Sequence, residues 1–264
     1  MPELPEVESV RKVLENSLLH QKLNRYKITD KRINRFNVLN PKNIGVLNDI
    51  IRKGKILQFK FENISFLFHL GMSGRLALNS SKSKHTHGIF NFENDILLFD
   101  DIRKFGYIKI LKNDEVHNHF DSIGPDSLKL TQSSKNKILQ KANNSSVEIK
   151  KFLLNQKNIS GLGNIYVNEI LFLSKVNPFL STFKLTSDTW ETIFSNIGKI
   201  LKKAIKNNGT TLSDMTYYLP LGDYGNHQNN LLIYGRHICF SCSGKIDKLF
   251  IDSRATYMCY KCQK

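Results

Sequence analysis

The sequence predicts an α+β fold with a β-rich N-terminal part, a helical central part and a cysteine-bearing ribbon at the C-terminus. From Lys22 to about Leu111, apolar residues recur with period two in short runs separated by turn residues, which is typical of an antiparallel sandwich or barrel. From Val147 onward the apolar spacing is helical, and two Cys-x2-Cys pairs close the chain. The 264 residues suffice for one large domain, or for two smaller domains with a further module.

The first predicted element is a helix over Pro5–Leu19. Apolar residues fall at helical spacing on one side of this segment, and charged residues lie largely on the other side. Such a helix would bury an apolar stripe and hold the preceding N-terminus still. Its positive end would favour a neutral amine at Pro2, whereas the carboxylates of Glu3 and Glu6 would oppose that effect.

Several short strands are predicted next. The clearest is Ile56–Phe61, where apolar residues alternate with polar ones. Further predicted strands are Ser65–Leu70, Ile89–Phe92, Ile96–Phe99 and Phe105–Leu111. The polar residues 79–86 predict a loop. Strand character ends around residues 113–135, where Gly124–Asp126 and Thr131–Ser134 predict a linker.

Helical patterns then cover Val147–Leu154, Ile165–Leu173 and Asp188–Lys206, and Gly209 is a natural stop for the last of them. The glycine-containing stretch Ser160–Tyr166 lies between two of these helices. Its backbone amides could bind a phosphate at the helix start, or its glycines could form a plain turn. The missing third glycine and the missing strand before it argue against a dinucleotide-binding loop.

The composition points to a polyanionic partner. The chain has 39 Lys and Arg against 23 Asp and Glu, a formal net charge of +16 and a pI near 9.6. Nucleic acid is the commonest polyanion for so basic a folded chain. No segment predicts a membrane span, a basic amphipathic membrane helix or a secretory signal. We therefore expect no membrane association, a location in the cytoplasm or nucleoid, and four cysteines that do not form structural disulfides.

The first six residues are candidates for covalent chemistry. Removal of Met1 would make Pro2 the N-terminus, with a free secondary amine. Attack of that amine on a sugar aldehyde carbon gives an iminium ion, which is an electron sink like a lysine Schiff base. Glu3 is a candidate general acid beside it, and Glu6 lies within the same first turn. The alternative is an ordinary helix start, because Pro and Glu both suit the first turn of a helix.

The four cysteines form a strong metal-site pattern. Cys239 and Cys242 make one pair, Cys259 and Cys262 make the other, and residues 243–258 separate the pairs. This is the spacing of a four-thiolate zinc site that staples a β-hairpin, so we expect one Zn²⁺ per chain. The hairpin would present Arg254.

Other residues have two interpretations. Met72, Arg103 and Phe105 lie at predicted strand ends. Met and Phe are usually core residues, but in a basic protein they could instead fill the gap that a flipped base leaves in DNA. A solvated or surface position is the ordinary expectation for Lys53, Lys55, Lys150, His85 and His87.

Taken together, these residues resemble the formamidopyrimidine-DNA glycosylase family, which also contains endonuclease VIII. The matching motifs run nearly end to end in this order: Pro2–Glu6, His69–Gly74, Lys84–His87, Arg103–Gly106, Gly161–Tyr166, Gly209–Leu212, Tyr234–Arg236 and the cysteine ribbon. Leu4 favours the formamidopyrimidine branch over the endonuclease VIII branch. Each motif is weak alone, but their order along one chain is specific.

The resemblance implies a catalytic β-sandwich over 1–130, a helix-two-turns-helix domain over 131–224 and a zinc finger over 225–264. It implies a monomer that binds damaged double-stranded DNA in the cleft between these domains. It also implies base excision repair activity: removal of 8-oxoguanine and formamidopyrimidines through a Schiff base at Pro2, followed by strand cleavage through β,δ-elimination.

The resemblance further implies a role for each matching residue. Pro2 would be the nucleophile, Glu3 the proton donor and Glu6 its ordering partner. Lys55 would contact phosphate and assist β-elimination, and Arg254 would bind phosphate and assist δ-elimination. The void in the DNA would be filled by Met72, Arg103 and Phe105, and further DNA contacts would come from His85, Lys150 and Asn164.

The chain departs from the family pattern at two places. Ile102 replaces a usual proline beside Arg103, and Gly225–His227 replaces the usual Gly-Tyr-Phe in the region that covers the flipped base. Two alternatives therefore stay open: an enzyme specific for pyrimidine lesions, and a non-catalytic zinc-ribbon protein that binds DNA or RNA.

Overall fold

The computed structural model describes residues 2–37, 39–213 and 217–264. The chain divides into two compact units, one of residues 1–122 with 205–228 and one of residues 123–204 with 229–264. Each unit is thus assembled from two separate stretches of chain. None of the described helices has both the length and the apolarity that a membrane crossing needs.

The first unit begins with helix α1 (Leu4–Leu18), which confirms the first predicted helix. The elements that follow are β1 Lys22–Ile28, β2 Gly45–Val46, β3 Asp49–Lys53, β4 Ile56–Lys60, β5 Ile64–His69, β6 Gly74–Leu78, β7 Thr86–Phe92, β8 Ile96–Asp101, β9 Tyr107–Lys112 and helix α2 Glu115–Asp121. One antiparallel sheet has the order β2-β1-β7-β8-β6, and the other has the order β3-β4-β5-β9.

These two sheets bury a shared core. Aromatic side chains from both of them meet edge to face, with ring centroids of Phe68 and Phe90 5.3 Å apart and those of Phe66 and Phe90 5.7 Å apart. The apolar side of α1 belongs to the same core through Val7 and Leu14. The period-two pattern therefore produces a β-sandwich, and its core holds the N-terminal helix in place.

The second unit contains helices and a hairpin. Its elements are α3 Gln132–Asn143, α4 Ile149–Leu154, α5 Asn164–Leu173, most of α6 Ser187–Lys206, a 3-10 turn at Thr182–Lys184, and strands β10 Asp247–Ile251 and β11 Arg254–Met258. A further 3-10 turn covers His227–Asn230. The strands β10 and β11 pair antiparallel, so the predicted hairpin between the cysteine pairs is confirmed.

Gly124–Asp126 lies between α2 and α3, as the predicted linker requires, but the prediction of a linker at Thr131–Ser134 is wrong, because α3 begins there. The sequence analysis also did not predict α2. Both helices bury little: Val116 is the buried residue of α2, and Ile138 and Ala142 are those of α3. Their apolar spacing was therefore too sparse to indicate a helix. The start signal of α3 was present, since the hydroxyl of Thr131 accepts a hydrogen bond from the Ser134 amide at 3.2 Å.

Candidate functional site

The N-terminal residues form the start of α1 and leave Pro2 outside the helix. Glu3 is the N-cap, and its amide donates to Oε2 of Glu6 at 2.8 Å. Pro2 is buried, and the exposed fractions of Glu3 and Glu6 are 2% and 1%. These residues do form a helix start, whereas the covalent role of Pro2 stays a prediction. Glu3 and Glu6 occupy the two positions of the capping box, so this helix start also brings two buried carboxylates beside Pro2.

The second carboxylate oxygen of Glu6 binds a distant part of the chain. The amide of Thr210 donates to Oε1 of Glu6 at 2.7 Å. Gly209 has φ +79°, and a Cβ on it would lie 2.7 Å from the same oxygen, so only glycine fits there. The Gly-Thr-Thr motif thus serves as a backbone ligand for Glu6, which fixes the N-terminal residues from both sides.

Residues 217–225 are bonded to this motif; we call them the 217–225 segment. The hydroxyl of Tyr217 donates to the carbonyl of Asn208 at 2.8 Å, and that of Thr211 donates to the carbonyl of Tyr217 at 3.1 Å. Thr211 also accepts from the Gly225 amide at 2.9 Å. Burial and the neighbouring carboxylate of Glu6 raise the pKa of Tyr217 well above its ordinary value, so this phenol stays protonated as a donor. Sequence reasoning did not single out Tyr217.

Lys55 follows Gly54 in the turn between β3 and β4, and it acts electrostatically on His69 at the end of β5. Burial lowers the pKa of His69 to about 4, and the cations of Lys55 and Arg35 act in the same direction. The neutral ring stacks on Tyr107 with centroids 5.2 Å apart, and its Nδ1 accepts from the Gly71 amide at 3.1 Å.

The loops that carry Met72, Arg103 and Phe105 are in contact with each other. Gly71 has φ +59°, and a Cβ there would lie 2.5 Å from the amide nitrogen of Gly106. Met72 is 37% exposed and Phe105 is 51% exposed, and the Arg103 guanidinium lies 4.7 Å from the centroid of the Phe105 ring. The ordinary expectation of core positions for Met72 and Phe105 is therefore wrong.

Asp101, at the end of β8, holds these loops together. Its carboxylate accepts from the hydroxyl of Ser73 at 2.6 Å, from the Arg103 amide at 3.2 Å and from the Gly106 amide at 2.7 Å. Asp101 is fully buried. The exposed Ile102 therefore lies in a loop whose ends are both fixed by hydrogen bonds. Asp101 was missed by sequence reasoning, although an acidic residue at the end of a buried strand is a usable signal.

The two loop histidines have different environments. His85 is half-buried, and its carbonyl accepts from the Asp101 amide at 3.0 Å. His87 is in β7 with an exposed fraction of 6%, and its Nε2 lies 3.1 Å from the carbonyl oxygen of Asp101. The expectation of surface exposure was wrong for His87, because it belongs to the strand and not to the loop.

In the second unit, Lys150 and Asn164 converge on the β10–β11 hairpin. Nζ of Lys150 donates to the carbonyl of Ala255 at 2.7 Å and lies 2.8 Å from the Thr256 hydroxyl. Nδ2 of Asn164 donates to the same Ala255 carbonyl at 3.0 Å. Lys150 is fully buried, so the ordinary expectation of a solvated lysine is wrong. Its predicted DNA contact stays a prediction.

Arg254 directly follows the hairpin turn. The turn residues Asp252 and Ser253 have φ +46° and +63°, which is the conformation of a tight two-residue hairpin turn. Arg254 is exposed, and Asp252 pairs with Lys151 of α4 at 2.8 Å. Lys150 and Asn164 thus both bind the carbonyl of Ala255, the residue next to Arg254 in β11.

The four cysteine sulfurs form one cluster. All lie within 4.8 Å of one another, with Sγ of Cys239 and Cys262 3.8 Å apart and Sγ of Cys242 and Cys259 3.5 Å apart. Four sulfurs at zinc–sulfur distances of about 2.3 Å in a tetrahedron lie about 3.8 Å apart. The donors and their spacing therefore fit a metal ion held by four thiolates.

Comparisons with known proteins agree with this geometry. Residues 1–108 match the family model described as the formamidopyrimidine-DNA glycosylase N-terminal domain, and residues 123–216 match that of its H2TH domain. A formamidopyrimidine-DNA glycosylase of Lactococcus lactis subsp. cremoris is 35% identical over 275 residues, covering 100% of both chains.

Solved structures agree as well. One is wild-type Lactococcus lactis Fpg with DNA containing N7-benzyl-Fapy-dG, and another is MutM with DNA containing carbocyclic 8-oxo-G. Each is 32% identical, covers 100% of both chains and has a TM-score of 0.89.

The sandwich, the helices and the cysteine cluster define a DNA glycosylase, an enzyme that acts on damaged bases in DNA. The chain belongs to the formamidopyrimidine-DNA glycosylase family. The predictions of fold class, family and enzyme class are thereby confirmed. DNA is its partner, and its four cysteines are able to bind a metal ion.

Proposed function

We propose that this enzyme removes 8-oxoguanine and formamidopyrimidines from double-stranded DNA and then cleaves the strand, with the secondary amine of Pro2 as nucleophile. The observation that carries the proposal is the arrangement at the N-terminus. Pro2 directly precedes Glu3, the N-cap of α1, and the carboxylate of Glu6 binds both the Glu3 amide and the Thr210 amide. The relatives solved with Fapy-dG and 8-oxo-G DNA support the choice of oxidised purines.

The proposed reaction begins at the sugar. The Pro2 nitrogen attacks the anomeric carbon, the bond to the base breaks, and the base leaves with the proton that the Pro2 nitrogen loses. Glu3 as general acid then gives a proton to the ring oxygen, and cleavage of the bond between that oxygen and the anomeric carbon opens the sugar and leaves an iminium ion. Loss of a proton from the neighbouring carbon then expels the 3′ phosphate, and a second elimination expels the 5′ phosphate. Water finally releases Pro2.

The roles of the other residues are also part of the proposal. Glu6 orders the N-terminus, Lys55 contacts phosphate and assists the first elimination, and Arg254 assists the second. His85, Lys150 and Asn164 are proposed DNA contacts. Lys150 and Asn164 both bind the β10–β11 hairpin, so they can also act on DNA indirectly by positioning that hairpin. The excess of basic residues supplies phosphate binding, which is the salt-sensitive part of DNA affinity.

We propose that Met72, Arg103 and Phe105 enter the DNA where the damaged base has left. Extrusion of a base costs roughly a few kcal/mol of lost stacking and pairing. The exposed Phe105 ring with Arg103 across it offers a flat surface for stacking, and the exposed Met72 lies in the adjoining loop. Because the carboxylate of Asp101 already orders both loops, less conformational entropy is lost when they bind DNA.

The metal ion is proposed to be one Zn²⁺ per chain, held by the four cysteines. It would fix the hairpin that presents Arg254 and contributes no chemical step. We also retain the domains 1–130, 131–224 and 225–264, a monomeric state and a cytoplasmic location as predictions.

The nucleophile is tested by trapping. With Met1 retained, the Pro2 nitrogen is an amide without a usable lone pair; Met1 lies outside the described residues. Protein with and without Met1 is confirmed by mass and incubated with an 8-oxoguanine duplex and borohydride, which reduces the iminium to a stable cross-link. We expect a cross-link only for the form that begins at Pro2. Equal trapping by both forms would make a lysine the nucleophile, with Lys55 the first to test.

The lesion class is tested with three duplexes that contain 8-oxoguanine, thymine glycol or an abasic site. We expect excision of 8-oxoguanine opposite cytosine. Preferred excision of thymine glycol would favour the pyrimidine alternative, which the replaced residues Gly225–His227 keep open.

A further inference from the structure

We propose that Arg75 is a positioning residue for base excision, because it fixes the 217–225 segment next to the loops that enter the DNA. The inference rests on the proposed function of the N-terminal site. The Arg75 guanidinium lies 4.5 Å from the centroid of the Tyr218 ring. The same group donates from Nε and Nη2 to Oδ2 of Asp100, at 2.9 Å and 2.7 Å.

The guanidinium has little freedom to move. Asp100 is 3% exposed, and its other oxygen accepts from the hydroxyl of Thr86 at 2.6 Å. Nε and Nη2 converge on one oxygen of a buried carboxylate, and these two bonds restrict the orientation of the guanidinium, whose planar group stacks on an aromatic face. The ring of Tyr218 is thereby held over the ends of β6, β7 and β8.

Further contacts bind the same segment to the sandwich. The amide of Leu78, the last residue of β6, donates to the carbonyl of Pro220 at 2.8 Å. Tyr217 and Leu219 are buried in the sandwich core, with exposed fractions of 5% and 4%. Leu221, between these anchors and Gly225, is 62% exposed. The segment therefore has fixed ends and presents its middle to solvent.

The position of the segment connects it to the reacting sugar. Its ends bond to Asn208 and Thr211, on either side of the Thr210 amide that binds Glu6. The damaged base is attached to the carbon that Pro2 attacks, so an extruded base must lie close to the same N-terminal residues. The 217–225 segment is therefore in reach of the base.

A small cavity marks the junction with the DNA-entering loops. It has a volume of about 90 Å³, and Arg75, Tyr218, Ser73, His85 and Ile102 line it. Ser73 and Ile102 neighbour Met72 and Arg103 in the chain. The Arg75–Tyr218 pair is thus a wall shared by the segment that reaches the base and the loops that fill the space it leaves.

This arrangement separates two reactions of the enzyme. Excision of a base depends on how the 217–225 segment positions the extruded base. Cleavage at an abasic site does not depend on it, because no base is present. Loss of the Arg75–Tyr218 contact should therefore slow excision and spare abasic cleavage. A purely structural role would slow both reactions in parallel.

The experiment compares single-turnover rates on an 8-oxoguanine duplex and on an abasic duplex. Tyr218→Ala removes the ring but leaves Arg75 paired with Asp100, so no buried charge loses its partner. Tyr218→Phe keeps the aromatic ring without the hydroxyl. Arg75→Lys keeps the positive charge but replaces the planar guanidinium with an ammonium group. Arg25→Ala removes an exposed arginine from β1 of the same sheet and is the matched control. The double variant Arg75→Lys with Tyr218→Ala tests whether the two residues act as one.

We expect Tyr218→Ala to slow 8-oxoguanine excision about tenfold, the effect of losing a partly desolvated cation–π contact and the order it provides. Abasic cleavage should stay within about twofold of wild type. Tyr218→Phe should excise 8-oxoguanine at nearly the wild-type rate. The excision rate of Arg75→Lys should lie between those of wild type and Tyr218→Ala, and the rate of the double variant should equal that of Tyr218→Ala. Unchanged excision in Tyr218→Ala, equal losses on both duplexes, or additive losses in the double variant would each overturn the inference. Wild-type protein that cleaves neither duplex would instead refute the proposed function.

Discussion

Replacement of Glu6 by Gln is the sharpest test of how the N-terminus is ordered. Both carboxylate oxygens of Glu6 accept backbone amides, at 2.8 Å from Glu3 and 2.7 Å from Thr210. A glutamine side chain has one acceptor oxygen and one donor nitrogen. One of the two backbone amides would therefore face another donor inside a site where Glu6 is 1% exposed.

The magnitude follows from that single lost acceptor. A buried donor left without a partner costs about 1–3 kcal/mol. The hydrogen bond that remains is also weaker, because its acceptor is a neutral amide oxygen and no longer a charged carboxylate. If this energy is lost from the ordered N-terminus in the transition state, the rate falls about 5-fold to 150-fold. Because no backbone atom or side-chain volume is removed, Glu6→Gln should still fold.

The assay is borohydride trapping under single-turnover conditions, with DNA affinity and thermal unfolding measured on the same samples. Glu62→Gln, at an exposed position in the turn between β4 and β5, is the control for loss of a negative charge. We expect Glu6→Gln to slow trapping by the factor above, with DNA affinity nearly unchanged. A trapping rate equal to that of wild type would show that the two bonds to Glu6 do not order the nucleophile.

Three further predictions follow from the site. Cys242→Ser should reduce the bound zinc below one ion per chain by metal analysis and weaken DNA binding, because metal binding and folding of the finger are coupled; full metal content would count against the four-thiolate site. Arg254→Ala should lower DNA affinity and shift the products from δ- to β-elimination on a sequencing gel, with base removal less affected. The lowered pKa of His69, about 4 in the folded chain, means that the unfolded chain binds more protons below pH 6.5. Wild type should therefore lose up to about 3 kcal/mol more stability than His69→Gln between pH 6.5 and pH 4 in urea unfolding, and parallel pH curves for both proteins would refute this.

The sequence predicted the elements whose apolar patterns are dense. The predicted strand at Ile56 is present as Ile56–Lys60, and the apolar stripe of α6 is buried at helical spacing as expected. Burial does not alternate in that strand, because Ile56, Leu57, Gln58 and Phe59 are all buried. The cysteine spacing was equally informative, since four ligands for one ion constrain the chain locally. Polar helices such as α3 were missed because their stability depends on caps and neighbours rather than on an apolar stripe.

The order of motifs along the chain was enough to indicate the family, since it depends on residue types alone. The contacts that make those motifs a site were decided by tertiary structure. The bond from Thr210 to Glu6 joins residues 204 positions apart, and the buried Lys150 meets Ala255 across 105 positions. No local pattern encodes such pairings, because a hydrogen-bond partner is chosen by the folded backbone that brings it near. The same reason explains why Arg75 and Tyr218 were not singled out: each is an ordinary surface residue until the sandwich places the guanidinium over the ring.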